Sequence, residues 1–339
     1  MSNERIKWLD VAKGIGIVFV VIGHAVTSSI RNDSEIAREI YNFVFFIHMP
    51  FLFFLSGIGY RIGEKKYQEQ SVTHYIKKKG KVLLVPYAVY SGIVYLIFLL
   101  CSFIPFISGA MKNAGFGRMK ISDWLIGLLL GDNDQARHLW YIYILFIFCL
   151  MTFLVRKVSR CWAAACIIPI LFLVNCMFGY MTNIIAFQNM FFLYFWFILG
   201  VLLDMNKFKP TIGLGAGGVF LILYFLSFFN IINIKQPELN LIYIIIMKIL
   251  STFGLVSVAL LLKGRLADGF AYLGKRIFSI YLFHQPFWGS CFGGFVYGVL
   301  KLPLELTVVL SILFSFTVPL CIDFLLKKTK ILKSLFAIR

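Results

Sequence analysis

Residues 5–24 read RIKWLDVAKGIGIVFVVIGH, a charged opening that continues into an apolar segment and ends on a histidine. An α-helix advances about 100° and about 1.5 Å per residue, so Lys13 and His24 fall about 20° apart around the axis and about 16 Å apart along it. Asp10 falls about 40° from His24 on the same helix. An acid, a base and a histidine therefore share one face of an otherwise apolar helix. This pattern predicts that the face lies inside the protein and not against lipid.

Similar apolar segments make up most of the chain. Of its 339 residues, 60% are hydrophobic and 14% are charged, and the apolar runs recur at lengths that suit a bilayer core of about 30 Å. The predicted fold class is all-α, a polytopic membrane protein of about ten transmembrane helices in a single domain over residues 1–339. The first run lacks a small-residue cleavage site, so we expect a retained span and not a signal peptide. The expected spans are 11–30, 41–60, 82–106, 138–155, 162–180, 188–203, 211–230, 240–262, 277–299 and 304–326.

The basic residues predict the orientation. With the N-terminus placed in the cytoplasm, 24 of the 33 Lys and Arg residues fall on the cytoplasmic side, 8 fall on the outer side, and Lys248 lies within a span. This is the bias of the positive-inside rule, so both termini are expected in the cytoplasm, in a protein of the cytoplasmic (inner) membrane. The net charge of +18 then reflects topology and contact with anionic membrane lipids, and no nucleic-acid partner is expected.

Three histidines, His24, His48 and His284, lie within predicted spans. Pro50 follows the second and Pro286 follows the third, and each proline is expected to kink its helix. Asp and Glu are missing from the middle of every predicted span, which disfavours mechanisms that need two buried carboxylates. A neutral imidazole can take a proton from a hydroxyl and return it, which suits acyl transfer to an alcohol. A structural, hydrogen-bonded role stays open for each histidine, and the absence of zinc-type spacing predicts no metal.

Other polar features each allow two interpretations. Ser56 suits either close helix packing or catalysis, and Trp140 suits either an interfacial belt or the wall of a sugar site. Lys248 either faces a cavity or partner or extends outward to the membrane surface. The basic connection 61–81 favours lipid head groups over a phosphorylated ligand. Residues 132–134 favour a polar turn that caps a helix over a calcium site.

Four segments in order resemble the membrane-bound acyltransferase-3 family, and the chain length is similar to that of its fucose 4-O-acetylase-like branch. The family mark is a basic residue, ten intervening positions and a histidine, which Lys13 and His24 match. Position 13 is lysine where many members have arginine, and Glu64 stands where a second arginine would follow Arg61. The four segments are LDVAKGIGI at 9–17 with its continuation to residue 24, FFLSG at 53–57, LWYI at 139–142 and SIYLFH at 279–284.

The resemblance implies an O-acetyltransferase that uses acetyl-CoA as donor and a cell-envelope sugar, free or lipid-linked, as acceptor. Lys13 would hold CoA phosphate together with Arg61 or nearby lysines, and His24 would act as general base. The reach from the diphosphate of CoA to its thiol is of the same order as the 16 Å or so between these two residues. Asp10 either takes part in catalysis or caps the start of the helix. The acceptor-binding candidates are His48, Ser56, Trp140, Tyr281 and His284.

Two other functions stay open. A transporter or flippase of a lipid-linked glycan would use the histidine-lined cavity as its path and Lys248 as a charge gate. A haem-bearing redox protein would use the histidines as iron ligands, although no characteristic spacing supports this. Incorporation of acetate from acetyl-CoA separates the acyltransferase from the transporter, and a visible absorption spectrum identifies haem.

Overall fold

A computed structural model describes residues 6–105, 119–159 and 185–338, and within these ranges the chain is helical with no strand. A 3₁₀ segment, Asp134–Leu139, precedes the helix that begins at Trp140, and a π-helical turn, Phe287–Cys291, precedes the helix that begins at Phe292. The α-helices are α1 (Lys7–Ala25), α2 (Ser28–Asp33), α3 (Glu35–Gln68), α4 (Val72–Cys101), α5 (Ile121–Leu130), α6 (Trp140–Val158), α7 (Ile185–Leu202), α8 (Pro210–Phe228), α9 (Pro237–Leu261), α10 (Gly264–Lys275), α11 (Ile277–Phe283), α12 (Phe292–Gly298), α13 (Leu304–Leu326) and α14 (Lys330–Leu335).

Seven helical stretches within the described ranges are long and apolar enough to cross a membrane. Six of them are α1, α3, α4, α8, α9 and α13, and the seventh is Ile121–Val158, which contains α5, the 3₁₀ segment and α6. A shorter apolar stretch is Phe192–Leu202. These helices confirm the prediction of an all-α membrane protein with several spans. The span expected at 162–180 lies outside the described residues, and the count of ten and the orientation of the termini stay predictions.

Three expected boundaries were wrong. The basic connection 61–81 is mostly helical, because α3 continues to Gln68 and Ser71 caps the start of α4 by accepting a hydrogen bond from the amide of His74 at 3.2 Å. The span expected at 277–299 is divided into α11, the π-helical turn and α12. Pro286 explains the division, since it has no amide hydrogen and its ring collides with the preceding turn of a helix. The first span starts earlier than expected and ends at Ala25, before α2.

Helix α1 is the central element, and it contacts α3, α9, α10, α11 and α13. Glycines allow its backbone to meet that of α10 directly. A Cβ atom at Gly14 would overlap the carbonyl of Phe270, and one at Gly274 would overlap the carbonyl of Asp10. Because a side chain at either glycine would force the two backbones apart, this crossing fixes both the position and the rotation of α1.

The polar turn predicted at residues 132–134 is confirmed. The side-chain oxygen of Asn133 accepts hydrogen bonds from the amides of Gln135 at 3.1 Å and Ala136 at 3.3 Å. These bonds cap the 3₁₀ segment in the way that asparagine caps helix starts. The segment carries His138 into the core, where 6% of its surface is exposed.

Lys248 on α9 has a partner on α3. Its Nζ donates a hydrogen bond of 2.6 Å to the carbonyl of Phe46, and it lies 4.3 Å from the centroid of the Phe46 ring. The Phe46 carbonyl is four residues before Pro50, which lies inside α3 and has no amide hydrogen to donate to it. Lys248 therefore supplies the donor that the proline removes, which favours the partner interpretation over extension to the membrane surface.

Candidate active site

Four histidines from four separate segments meet beside the end of α1, and we call them the histidine cluster. The ring centroids of His24 and His284 are 5.2 Å apart, and those of His138 and His284 are 5.5 Å apart. Phe45 connects the fourth member, since its ring centroid lies 5.7 Å from that of His24 and 4.8 Å from that of His48. The predicted histidines of three spans therefore converge, together with one that the sequence analysis did not select.

His24 is the least buried residue of the histidine cluster. His48, His138 and His284 expose 2%, 6% and 0% of their surfaces, whereas His24 is half-buried. A general base must come within hydrogen-bonding distance of the hydroxyl that it deprotonates. As the least buried member, His24 is the candidate for this role, and the three buried rings form its surroundings.

Backbone carbonyls orient two of the buried rings. Nδ1 of His48 lies 2.8 Å from the carbonyl of Val44, and Nε2 of His138 lies 3.2 Å from the carbonyl of Leu282. A carbonyl can only accept a hydrogen bond, so each of these ring nitrogens carries the hydrogen. These contacts give His48 and His138 the hydrogen-bonded structural role that the sequence analysis left open for buried histidines.

His284 keeps one ring nitrogen unused. Its Nδ1 donates to the carbonyl of Tyr281 at 2.8 Å, with the carbonyl of Ile280 at 3.1 Å. Its Nε2 is therefore the acceptor nitrogen, and it is buried with no hydrogen-bond partner in the described part of the chain. An uncommitted lone pair thus lies in the ring next to His24, where it favours a positively charged or hydrogen-donating group.

A stack of side chains supports His24 from α3. The guanidinium carbon of Arg31 lies 3.8 Å above the ring centroid of Tyr41, and Tyr41 stacks on Phe45 with centroids 3.9 Å apart. Phe45 in turn presents its ring to His24 at an angle of 79°. Aromatic pairs of this kind have preferred geometries that restrict ring rotation. The stack therefore limits the orientations open to His24.

Ser56 and Tyr281 belong to a polar path that leads to the histidine cluster. Oγ of Ser56 lies 2.8 Å from the hydroxyl of Tyr141 and also donates to the carbonyl of Leu52 at 2.8 Å. The ring of Tyr141 lies 5.1 Å from that of Tyr281, whose hydroxyl donates to the carbonyl of His138. Because the Ser56 hydroxyl is engaged in contacts between helices, its packing interpretation is favoured over a catalytic one.

Trp140 lies apart from the histidine cluster. It is half-buried at the start of α6, and its ring centroid lies 6.1 Å from that of Phe53. Among the described residues, no ring contact joins it to a histidine of the cluster. Of the five acceptor-binding candidates, Trp140 is thus the one that the structure does not bring to the cluster.

The opposite end of α1 borders a cavity of about 550 Å³. Asp10 lies in the first turn of α1, where the helix dipole favours a carboxylate, and 4% of its surface is exposed. It lies fourteen positions before His24 on one continuous helix, about 21 Å along the axis. This separation excludes catalysis by direct contact between the two side chains. The lining residues are Lys7, Asp10, Asp268, Ala271, Tyr272, Lys275 and Arg276.

The two residues predicted to hold CoA phosphate occupy different places. Lys13 is half-buried on α1, one turn beyond Asp10. Arg61 lies on α3 and forms an ion pair with the buried Glu64, which also accepts a hydrogen bond of 2.9 Å from Arg156. Neither Lys13 nor Arg61 lines the cavity beside Asp10. Glu64, the residue that departs from the family pattern, therefore neutralises positive charge from two arginines.

The comparison with known proteins identifies the family. The model of a family described as acyltransferase domain, the acyltransferase-3 family, matches residues 6–326. The chain belongs to this family. The matched range includes α1 with its lysine and histidine, and it also includes every other member of the histidine cluster. No curated protein and no solved structure matches this acyltransferase.

The acyltransferase contains one cluster residue that sequence reasoning missed. His138 lies outside the middle of any predicted span, so its burial was not expected. The available signal was its position directly before the LWYI segment, since it is the residue preceding Leu139. No group of three or more His, Cys, Asp or Glu side chains in the described ranges is arranged to hold a metal ion.

Proposed function

We propose that this acyltransferase is an integral-membrane O-acetyltransferase that moves an acetyl group from acetyl-CoA to a hydroxyl of a cell-surface or lipid-linked sugar. Sugars of a capsule, an exopolysaccharide or an O-antigen are the candidate acceptors, as in the fucose 4-O-acetylase-like branch. The observation that carries the proposal is His24, the least buried residue of a cluster of four histidines. It lies on one continuous helix with Lys13, at the spacing typical of the family.

His24 acts as general base in the proposed reaction. It takes the proton of the acceptor hydroxyl while the oxygen forms a bond to the thioester carbonyl carbon. The carbon–sulfur bond then breaks, and the leaving thiolate of CoA takes the proton from the imidazolium. The unused Nε2 lone pair of His284, in the adjacent ring, favours the positive charge that His24 carries between these two steps.

Acetyl-CoA binds at the other end of α1 in this proposal. Lys13 holds a phosphate there, and Lys7, Lys275 and Arg276 supply further positive charge around the adjacent cavity. Asp10 and Asp268 line the same cavity, and Lys7 pairs with Asp268 at 2.7 Å. The carboxylate of Asp10 therefore acts on donor binding and not on the proton transfer at His24. The distribution of basic residues along the chain favours the cytoplasm as the side from which the donor enters.

The transporter hypothesis loses the feature on which it depended. A charge gate requires an ammonium group that faces the transport path, whereas Lys248 donates to a backbone carbonyl between α3 and α9. The family assignment also favours acyl transfer. Acetyl transfer is therefore the function that the described residues support best.

The test uses the purified full chain in lipid nanodiscs, radiolabelled acetyl-CoA and glycan extracted from the source cells. We expect His24→Ala to lower acetyl transfer by about 10²–10⁴-fold, the range for loss of a general base, while acetyl-CoA still binds. His74→Ala is the matched control, because His74 is an exposed histidine at the start of α4. Transfer by His24→Ala at the rate of the control would contradict the base role, and no transfer by the wild type would contradict the function.

A further inference from the structure

A second polar pocket opens on the opposite side of α3 from the histidine cluster, and we call it the amide pocket. It has a volume of about 420 Å³ and lies between the first turns of α3, the end of α8 and the start of α9. The first turns of α3 are at the same end of the bundle as His24. The lining residues are Glu39, Asn42, Phe46, Tyr224, Ser227, Phe228, Asn230, Ile232, Asn233, Ile234, Asn240, Tyr243, Ile244 and Met247.

The amide pocket is rich in groups that both donate and accept hydrogen bonds. The side-chain amides of Asn230, Asn233 and Asn240 are exposed and make no hydrogen bond to any described residue. Ser227 and Tyr243 add a hydroxyl pair whose oxygens are 2.7 Å apart and lie 3.0 and 3.1 Å from the Leu223 carbonyl, so this pair offers a ligand further acceptors only. An amide offers two donor hydrogens and an acceptor oxygen. This combination matches adjacent sugar hydroxyls, each of which also donates and accepts.

The lining favours a ligand without negative charge. Glu39 is the carboxylate of the amide pocket, and no Lys or Arg is among its lining residues. The half-buried Lys248 donates to the Phe46 carbonyl, and the exposed Lys235, which follows the lining residue Ile234, is not itself part of the lining. The lining therefore favours a neutral glycan over a phosphate or a uronic acid. Tyr224 adds an aromatic wall of the kind that packs against the apolar side of a ring.

The pocket and His24 are neighbours across one helix. Phe46 lines the amide pocket, while the preceding residue, Phe45, contacts His24. Successive residues of a helix point about 100° apart, and the body of a helix is about 10 Å wide. A glycan of several sugar units that passes around α3 can therefore place one unit in the pocket while a unit further along the glycan lies at His24.

We propose that the amide pocket binds a neutral sugar unit of the acceptor glycan, at a distance along the glycan from the unit that is acetylated. The proposal rests on the proposed function, because that function supplies a glycan as acceptor. It adds a binding subsite that selects the glycan by a unit that does not react. The subsite consists of side chains from α3, α8, α9 and the connection between α8 and α9, none of which belongs to the histidine cluster.

The test is the double variant Asn233→Ala/Asn240→Ala, assayed as full-length protein in nanodiscs with labelled acetyl-CoA and the neutral glycan extracted from the source cells. We expect the KM for the glycan to rise about tenfold, equivalent to about 1.4 kcal/mol, with kcat and the KM for acetyl-CoA within twofold of wild type. The matched control is Asn32→Ala, because Asn32 is an exposed asparagine on α2, at the same end of the bundle and outside the amide pocket.

Each outcome decides the proposal. An unchanged KM for the glycan, or a lowered kcat with an unchanged KM, overturns the pocket as a binding subsite. If the wild type transfers no acetyl group, the proposed function fails, and binding of the same glycan is then measured by saturation-transfer difference NMR. Glycan binding by the wild type that the double variant loses supports the pocket on its own, and no binding by the wild type overturns it as well.

Discussion

Lys248 supplies to α3 the hydrogen-bond donor that Pro50 removes. Its Nζ lies 2.6 Å from the carbonyl of Phe46, the carbonyl that the amide of residue 50 would serve in an uninterrupted helix. The charge of a lysine in a span usually marks a pathway or a site. Here the ammonium connects α9 to α3 and donates a hydrogen bond to a carbonyl for which the lipid hydrocarbon has no donor.

This pairing predicts a stability effect that depends on residue 50. Lys248→Met should lower the free energy of unfolding by about 1.5–3 kcal/mol, the range for a hydrogen bond to a charged group. In a Pro50→Ala background the restored amide can serve the Phe46 carbonyl, so the same substitution should cost less. Thermal unfolding of the four proteins in one detergent gives the coupling between the two sites. Equal losses in the two backgrounds would show that Lys248 does not compensate for Pro50.

The crossing of α1 and α10 predicts opposite effects for two glycines of α10. Gly274→Ala should destabilise the protein by about 1–3 kcal/mol, because its Cβ would overlap the carbonyl of Asp10. Gly269→Ala is the matched control. It has nothing within 4 Å of a Cβ, so removal of a helical glycine there should be neutral or stabilising. Urea unfolding measures both, and a Gly274→Ala variant as stable as its control would mean that the two helices can separate without cost.

The proposed binding of acetyl-CoA near the start of α1 predicts that the two candidate phosphate-binding residues differ in their effect on the KM for acetyl-CoA. Lys13→Ala should raise the KM for acetyl-CoA about tenfold, which corresponds to about 1.4 kcal/mol, and Lys13→Arg should restore much of the affinity. Arg61→Ala should change this KM less than threefold, because Arg61 is on a different helix, α3, and its charge is paired with the buried Glu64. Steady-state assays at saturating glycan measure both constants. A larger effect at Arg61 than at Lys13 would reverse the assignment.

Patterns among residues that are neighbours in the chain predicted the helices better than they predicted the contacts between helices. The apolar run and polar stripe of α1, the polar turn at Asn133 and the interruption at Pro286 each follow from residues that are neighbours in the chain. The prediction of a connection at 61–81 was wrong, because an apolar run marks only the part of a helix that lies in lipid. The polar ends of the two helices were not recognised. The hydrogen bonds within α3 and α4 continue beyond that part.

The site was predictable only in part, because it depends on contacts between distant segments. The spacing of Lys13 and His24 on one helix can be calculated from helix geometry. The approach of His138 to His284 joins residues 146 positions apart, and no local pattern encodes it. The same reason applies to Lys248, whose partner lies 202 positions away, and to the amide pocket, which α3 forms with α8 and α9.

The glycines that join α1 to α10 have a consequence for the length of the donor. Because Gly14 and Gly274 hold the two backbones in contact, α1 cannot slide along α10, and His24 stays at a fixed distance from the cavity that α10 lines. In the proposed reaction this distance does not change, and the pantetheine arm of CoA must span it. An acetyl donor without such an arm, acetyl phosphate for example, would leave its acyl group about 16 Å from His24 if it bound at Lys13 in the proposed reaction.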